Sequence, residues 1–160
     1  MLLVVRHADA GHKGSWDGPD VLRPLSPVGR LQAQGLVVRL EAYPVERILS
    51  SPTLRGHQTV QPLARDRLLP IEDVAALGVD AGPGEVVALF WDQGLQDAVL
   101  CTHGETIGRL LGQLVADGLV DEASLHWPKG STWLLQRSSQ RRVHARYLAP
   151  LALGGRVTIG

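Results

Sequence analysis

The stretch that decides the fold is MLLVVRHADAG, residues 1–11, where a short apolar run ends at a cation and an imidazole. Residues 2–5 are continuously apolar, as expected of a central strand that is buried on both faces of a parallel sheet. Arg6 and His7 follow that run without a spacer. Ligands bind outside the carboxyl ends of the strands in such sheets, so this junction predicts one half of an anion-binding site.

Length and composition limit the classes of protein that this sequence can encode. The 160 residues are 44% hydrophobic and 20% charged, with a formal net charge of zero. Domains typically run to roughly 100–200 residues, so we expect one domain, residues 1–160, with a single core. The balanced charge argues against a broad nucleic-acid-binding surface. No run approaches the roughly 18 consecutive apolar residues of a membrane helix, so no membrane partner is expected.

Cysteine usage and the first residues favour a cytoplasmic location. Cys101 is the only cysteine in the sequence, which rules out an intrachain disulfide, and its apolar neighbours predict a small core residue. The apolar run after Met1 has no basic region before it and is too short for a secretory signal. We expect either a whole protein or a domain whose upstream partner is absent from this sequence.

Apolar runs and helical periodicities alternate along the chain. Ser26 followed by Pro27 predicts a helix start, with a capping hydroxyl and a proline at the first helical position. The glycine- and proline-rich residues 11–24 and 68–84 predict irregular segments. This alternation predicts a three-layer α/β/α sandwich with a mostly parallel sheet and an antiparallel edge near the C-terminus. The predicted strands are 2–5, 45–49, 98–101, 131–136 and 143–148, and the predicted helices are 27–42, 51–67, 85–91 and 105–115.

Three predicted strands end in cationic or imidazole side chains and small residues. The first ends in Arg6 and His7, the second in SSPTLRGHQT (50–59), which holds Arg55, and the third in THGET (102–106), which holds His103. Because the carboxyl ends of parallel strands meet at one edge of a sheet, we expect these four side chains to share one pocket.

Such a pocket has the chemistry needed to handle a phosphoryl group. Two guanidiniums grip a phosphate through paired, planar hydrogen bonds that a lysine cannot copy. An imidazole with one nitrogen fixed by a backbone carbonyl presents the other nitrogen as a nucleophile. A second, protonated histidine would stabilise the charge on the phosphoryl oxygens in the transition state. These groups supply the positive charge that a dianion requires, so we predict neither a metal nor a cofactor.

Four ordered segments resemble the motifs of the histidine phosphatase superfamily, which also includes the cofactor-dependent phosphoglycerate mutases. They are RHADAG (6–11), LSPVGRLQAQGL (25–36), SSPTLRGHQT (50–59) and THGE (102–105). The short chain resembles the SixA-type phosphohistidine phosphatases. RPLSPVGRLQA (23–33) and PKGSTWLL (128–135) also resemble the phosphatase domain that follows a Nudix domain in some actinobacterial MutT-like proteins.

The resemblance implies a phosphoglycerate mutase-like fold and a role for each motif residue. His7 would be the nucleophile that becomes phosphohistidine, Arg6 and Arg55 would clamp the phosphate, and His103 would stabilise the transition state. The implied partner is a phosphorylated substrate, with protein phosphohistidine first. The alternatives are a small phosphorylated metabolite or nucleotide, and a phosphate-binding module without turnover.

Two features outside the four motifs bear on the substrate. Many members of the superfamily carry an acidic proton donor where this chain reads ALGVDAGPGE (76–85), so Asp80, Glu85 or neither of them has that role. An imidazole or a nucleoside diphosphate leaves without a strong acid more readily than an alkoxide does, which tilts the prediction away from sugar phosphates. His12 and Lys13, in the loop after the first motif, are predicted substrate contacts.

Overall fold

A computed structural model of the chain describes residues 1–122 and 125–153. In this part of the chain, six strands form one sheet. They are β1 (Leu2–Arg6), β2 (Arg47–Ser50), β3 (Ile71–Asp73), β4 (Ala98–Thr102), β5 (Thr132–Arg137) and β6 (Val143–Leu148). The order across the sheet is β3-β2-β4-β1-β5-β6. The strands β1 to β4 are parallel to one another, β5 pairs antiparallel with β1, and β6 pairs antiparallel with β5. The predicted mostly parallel sheet with an antiparallel C-terminal edge is confirmed.

Helices cover both faces of the sheet and give the predicted three layers. They are α1 (Pro27–Arg39), α2 (Leu54–Arg67), α3 (Glu85–Trp91) and α4 (Gly104–Ala116). Alternate side chains of β1 divide between two cores: Leu2 and Val4 pack with α3 and α4, whereas Leu3 and Val5 pack with α1 and α2. No helix in residues 1–122 and 125–153 is both long enough and apolar enough to cross a bilayer.

Of the predicted starts of the first two helices, one is confirmed and the other is wrong. Ser26 caps α1 as predicted, because its Oγ accepts a hydrogen bond from the Gly29 amide at 3.0 Å. The second helix, predicted from residue 51, begins at Leu54 instead. Its cap is Thr53, whose hydroxyl accepts from the Gly56 amide at 3.2 Å and so fixes the start of the helix.

The segment 68–84, predicted to be irregular, contains the edge strand β3. That strand has only three residues, too few for an alternating pattern to be recognised in the sequence. Its backbone pairs in parallel with β2, from Ile48 opposite Ile71 to Ser50 opposite Asp73. Tertiary pairing rather than local propensity therefore forms this strand.

Close backbone packing holds the start of α1 against the segment that follows β1. The Ser26 amide donates to the Asp9 carbonyl at 2.9 Å, and a Cβ added to Gly29 would lie 1.9 Å from the same oxygen. No side chain fits at that distance, so the approach of α1 to the first motif requires glycine at this position.

Replacing Gly29 with alanine should lower the free energy of unfolding by about 1–3 kcal/mol, because the added methyl overlaps the Asp9 carbonyl and forces the backbones apart. Urea unfolding followed by tryptophan fluorescence measures the change.

Gly112→Ala is the matched control, because Gly112 also lies inside a helix, α4, and a Cβ added there would meet no described neighbour within 4 Å. Alanine in a helix interior is more favourable than glycine by roughly 0.5–1 kcal/mol, so this variant should be as stable as the parent or more so. Equal losses in both variants would contradict the close approach at Gly29.

Candidate functional site

A cavity of about 670 Å³ opens at the carboxyl ends of β1, β2 and β4. Its walls include all of the residues predicted for catalysis and substrate contact, namely Arg6, His7, His12, Lys13, Arg55 and His103. The cavity exists because the three strands end level with one another. The His7 amide donates to the Thr102 carbonyl and the Ser51 amide donates to the Cys101 carbonyl, each at 2.9 Å.

His7 lies at the base of the cavity with one ring nitrogen fixed. Its Nδ1 is 2.8 Å from the carbonyl oxygen of Ala8, which can only accept, so Nδ1 carries the proton and Nε2 keeps a free lone pair. Burial lowers the pKa of His7 to about 3, against the opposing effect of the Ala8 carbonyl and with smaller contributions from nearby positive groups. The imidazole is therefore neutral at pH 7, as a nucleophile must be.

His103 lies beside His7 and occupies the N-cap position of α4 without a side-chain capping bond. The two ring centroids are 5.1 Å apart, and Nε2 of His103 is 2.7 Å from the Ser51 hydroxyl. Burial, reinforced by the charge of Arg55, lowers the pKa of His103 to about 4. The protonated state expected from the sequence therefore requires the negative charge of a bound phosphate, which favours the charged imidazole.

Arg6 reaches the cavity along the first turn of α4. Its Nη1 donates to the Trp127 carbonyl at 2.8 Å, and a Cβ added to Gly104 would lie 3.1 Å from the guanidinium carbon. Glycine at the start of α4 thus lets the cation lie close to the helix N-terminus. The Nε of Arg6 is buried and has no hydrogen-bond partner among the described residues.

Arg55 is the second residue of α2 and is buried in the cavity wall. Its Nη1 donates to the backbone carbonyl of Asp20 at 2.7 Å, and its Nη2 donates to the Asp20 carboxylate at 2.9 Å. Asp20 was not predicted from the sequence; it lies in a short 3-10 helix within the predicted loop 11–24. The one signal in the sequence is its position three residues before Arg23, with which it forms an ion pair at 3.0 Å.

The structure distinguishes between Asp80 and Glu85, the two candidate proton donors. Asp80 and its neighbour Val79 line the cavity. Glu85 is not among the lining residues and accepts a hydrogen bond from the Gly82 amide at 2.8 Å, at the start of α3. Of these two acids, only Asp80 lines the cavity.

The mouth of the cavity carries further charged side chains. His12 and Lys13 are exposed there, and their contact with a substrate stays a prediction. Lys129 lines the same mouth and pairs with Asp9 at 3.1 Å. Glu105, in the first turn of α4, also faces the cavity. Neither Lys129 nor Glu105 is among the site residues predicted from the sequence, although the structure places both at the mouth.

Two other titratable side chains, those of His57 and Cys101, do not line the cavity. His57 points away from the cavity and hydrogen-bonds to Asp73 on the neighbouring edge strand. Burial raises the pKa of the Cys101 thiol to about 12, as expected of an unreactive core cysteine. Among the residues that the structure describes, no three histidine, cysteine or acidic side chains are grouped so that they could hold a metal ion.

Comparison with known sequences gives the same assignment for the N-terminal half. The family description "Histidine phosphatase superfamily (branch 1)" matches residues 2–78, which hold Arg6, His7 and Arg55. Over 156 residues the chain is 34% identical to an 8-oxo-(d)GTP phosphatase of Mycolicibacterium smegmatis. The match covers 93% of this chain and 48% of that protein, so the chain spans about half the length of this relative.

Solved structures share the fold. The protein histidine phosphatase SixA, complexed with tungstate, is similar with a TM-score of 0.76 at 21% identity, over 93% of this chain and 96% of that one. The alpha-ribazole phosphatase from Shigella flexneri is similar with a TM-score of 0.69 at 19% identity, over 96% and 98% of the two chains. The four motifs and the family match over residues 2–78 thus agree on the histidine phosphatase superfamily, and the solved structures share the phosphoglycerate mutase-like fold.

Proposed function

We propose that this chain is a phosphatase that works through a phosphohistidine intermediate at His7. The observation that carries the proposal is the meeting of His7, His103, Arg6 and Arg55 around one cavity, with the two rings 5.1 Å apart. A neutral imidazole and fixed cations are what an in-line displacement at phosphorus requires.

In the first step, the Nε2 lone pair of His7 attacks phosphorus. A bond forms between Nε2 and phosphorus while the bond from phosphorus to the leaving group breaks, and the leaving group departs with its electron pair. Arg6 and Arg55 bind the phosphoryl oxygens, and His103 stabilises the charge that spreads over them. The Ala8 carbonyl keeps the Nδ1 proton in place and supports the cationic ring that results.

In the second step, water attacks the phosphorus of phosphohistidine. A bond forms between oxygen and phosphorus, the bond to Nε2 breaks, and His7 recovers its lone pair as phosphate leaves. The same two guanidiniums serve both displacements, because the phosphoryl group stays between them while the entering and leaving groups exchange. Asp80 is the acid on the cavity wall that supplies a proton to leaving groups that need one.

For the substrate, we propose a small phosphorylated molecule with nucleotides first. Two observations support this choice: the 34% identical relative is an 8-oxo-(d)GTP phosphatase, and the cavity of about 670 Å³ has the size of a small-molecule site. Protein phosphohistidine, which the sequence resemblance placed first, is the second candidate. It is favoured by the exposure of residues 12–19 beside the mouth, which leaves the cavity accessible to a partner's side chain.

Replacing His7 with alanine should reduce the hydrolysis of p-nitrophenyl phosphate in EDTA at least about a thousandfold, because the nucleophile is lost. His144→Ala is the matched control, since His144 is exposed on the edge strand β6, and it should keep the parental rate. Acid-labile, base-stable phosphate on His7 after rapid quenching would support the intermediate. Phosphate binding without turnover by the parent would contradict the phosphatase proposal and favour a binding module.

Stability should fall as the pH drops from 7.5 to 5, because the neutral state of His7 and His103 depends on burial. Their pKa values in the fold, about 3 and about 4, lie below the ordinary 6.5, so the unfolded chain binds more protons between those values. Each histidine should lower the free energy of unfolding at pH 5 by roughly 2 kcal/mol. Urea unfolding at both pH values measures this loss, and His7→Asn should show about half of it. A parent equally stable at both values would contradict the neutral imidazoles.

A substrate panel separates the two substrate classes. We expect kcat/KM for 8-oxoguanine or ordinary guanine nucleotides to exceed that for a histidine-phosphorylated carrier protein by about tenfold or more, because the cavity has the size of a small-molecule site. The measurement is phosphate release under matched conditions, with a sugar phosphate as the comparison for a poor leaving group. A preference for the phosphorylated protein would reverse the order of the two candidates.

A further inference from the structure

We propose that Asp20 is a positioning residue for this phosphatase, holding the guanidinium of Arg55 in the orientation that grips the transferred phosphoryl group. The inference rests on the proposed function and extends it to a residue outside the four motifs. It also gives the loop 11–24 a part in catalysis, since that loop carries Asp20 to the cavity.

The contact between the two residues is double and mostly buried. The backbone carbonyl and the carboxylate of Asp20 each accept one hydrogen bond from Arg55, at 2.7 and 2.9 Å. The side chain of Arg55 is 3% exposed and that of Asp20 is 25% exposed, so water screens the pair less than it screens a surface ion pair. Two acceptors on one residue fix the rotation of the guanidinium as well as its position.

This arrangement leaves donors free for an anion. A guanidinium has five N–H groups, and Asp20 takes one from each Nη. Among the described residues, the buried Nε of Arg55 has no hydrogen-bond partner. A buried donor without a partner is costly, so this Nε and one hydrogen on each Nη are the donors of Arg55 that Asp20 leaves unoccupied. Asp20 thus holds the outer end of the guanidinium while donors remain for the substrate.

Asp20 is itself fixed by a second arginine. Its Oδ1 accepts from the Arg23 Nε at 3.0 Å, and Arg23 also donates to the carbonyls of Ala10 at 2.8 Å and Gly11 at 3.2 Å. These carbonyls belong to the segment that follows His7. The chain of contacts therefore connects the nucleophile's segment to Arg55 through Arg23 and Asp20.

The negative charge of Asp20 offsets the repulsion between the arginines that line the cavity. Arg6, Arg23 and Arg55 all line the cavity, and like charges in a partly buried space repel one another. Burial acts to raise the pKa of Asp20, but the hydrogen bonds and charges of Arg23 and Arg55 outweigh it and lower that pKa, so Asp20 is ionised at neutral pH. An ionised carboxylate between two guanidiniums offsets their repulsion and keeps both in place.

The test is a double-mutant cycle between Asp20 and Arg55 on the hydrolysis of p-nitrophenyl phosphate. Asp20→Asn should lower kcat/KM about tenfold to a hundredfold, the range expected for a hydrogen bond to a charged group. In an Arg55→Lys background, whose point charge cannot make the double contact, the same change should cost less than about twofold. Asp17→Asn, an exposed acid in the same loop, is the matched control and should keep the parental rate.

Two further measurements separate positioning from a structural role. The inhibition constant for inorganic phosphate should rise in Asp20→Asn in step with the loss of kcat/KM, and Asp20→Glu, which keeps the charge, should recover part of both. Thermal melting of each variant shows whether it is folded. Equal losses from Asp20→Asn in the parental and Arg55→Lys backgrounds would overturn the proposal. Unfolding of both Asp20 variants would also overturn it, because Asp20 would then act on the fold alone.

The failure of the proposed function is distinguishable from the failure of this inference. If the parent binds inorganic phosphate but hydrolyses nothing, the phosphatase proposal fails. Calorimetric titration of inorganic phosphate into the parent and Asp20→Asn then tests the inference directly, with weaker binding in the variant expected. Equal affinities for phosphate in the two proteins would overturn it.

Discussion

The site depends on three neighbouring parallel strands ending at the same level. β1 pairs with β4 so that Arg6 lies opposite Thr102, and β2 pairs with β4 so that Ser50 lies opposite Cys101. These strands are buried on both faces, and a slip of one residue would exchange the side chains of the two cores. Core packing therefore fixes the register, and the register decides which residues reach the cavity. The geometry of the candidate site therefore depends on apolar side chains that do not line it.

Burial lowers the pKa of both kinds of basic group around the cavity, but the resulting charge differs between them. It lowers the pKa values of His7 and His103 until both rings are neutral, whereas the arginines keep their charge at neutral pH because their ordinary pKa is so high. The result is a neutral imidazole beside permanent positive charge, which is the combination that the proposed attack on an anion requires. A chain with zero formal net charge thus concentrates positive charge where a phosphate would bind.

The features predicted correctly from the sequence are those that depend on strand ends and on local helix caps. Arg6, His7, Arg55 and His103 each follow an apolar run closely, so their convergence needed only the rule that parallel strands end at one edge. Ser26 marked its helix because the capping bond is local. The edge strand β3 was missed because its pairing with β2 forms it. Asp20 was missed for a related reason: its partner Arg55 is 35 residues away, and no local pattern encodes that contact.

The distribution of acids around the cavity bears on which leaving groups the proposed reaction suits. Glu85 does not line the cavity, and Asp20 is held ionised between two arginines, so neither is placed to give a proton to a leaving group. Asp80 lines the cavity from a loop, and a loop holds a side chain less rigidly than a helix or strand does. An anhydride or phosphoimidazole leaves without strong proton donation, whereas a sugar alkoxide does not. The geometry of the acids, rather than that of the phosphate clamp, therefore favours nucleotides and phosphohistidine over sugar phosphates.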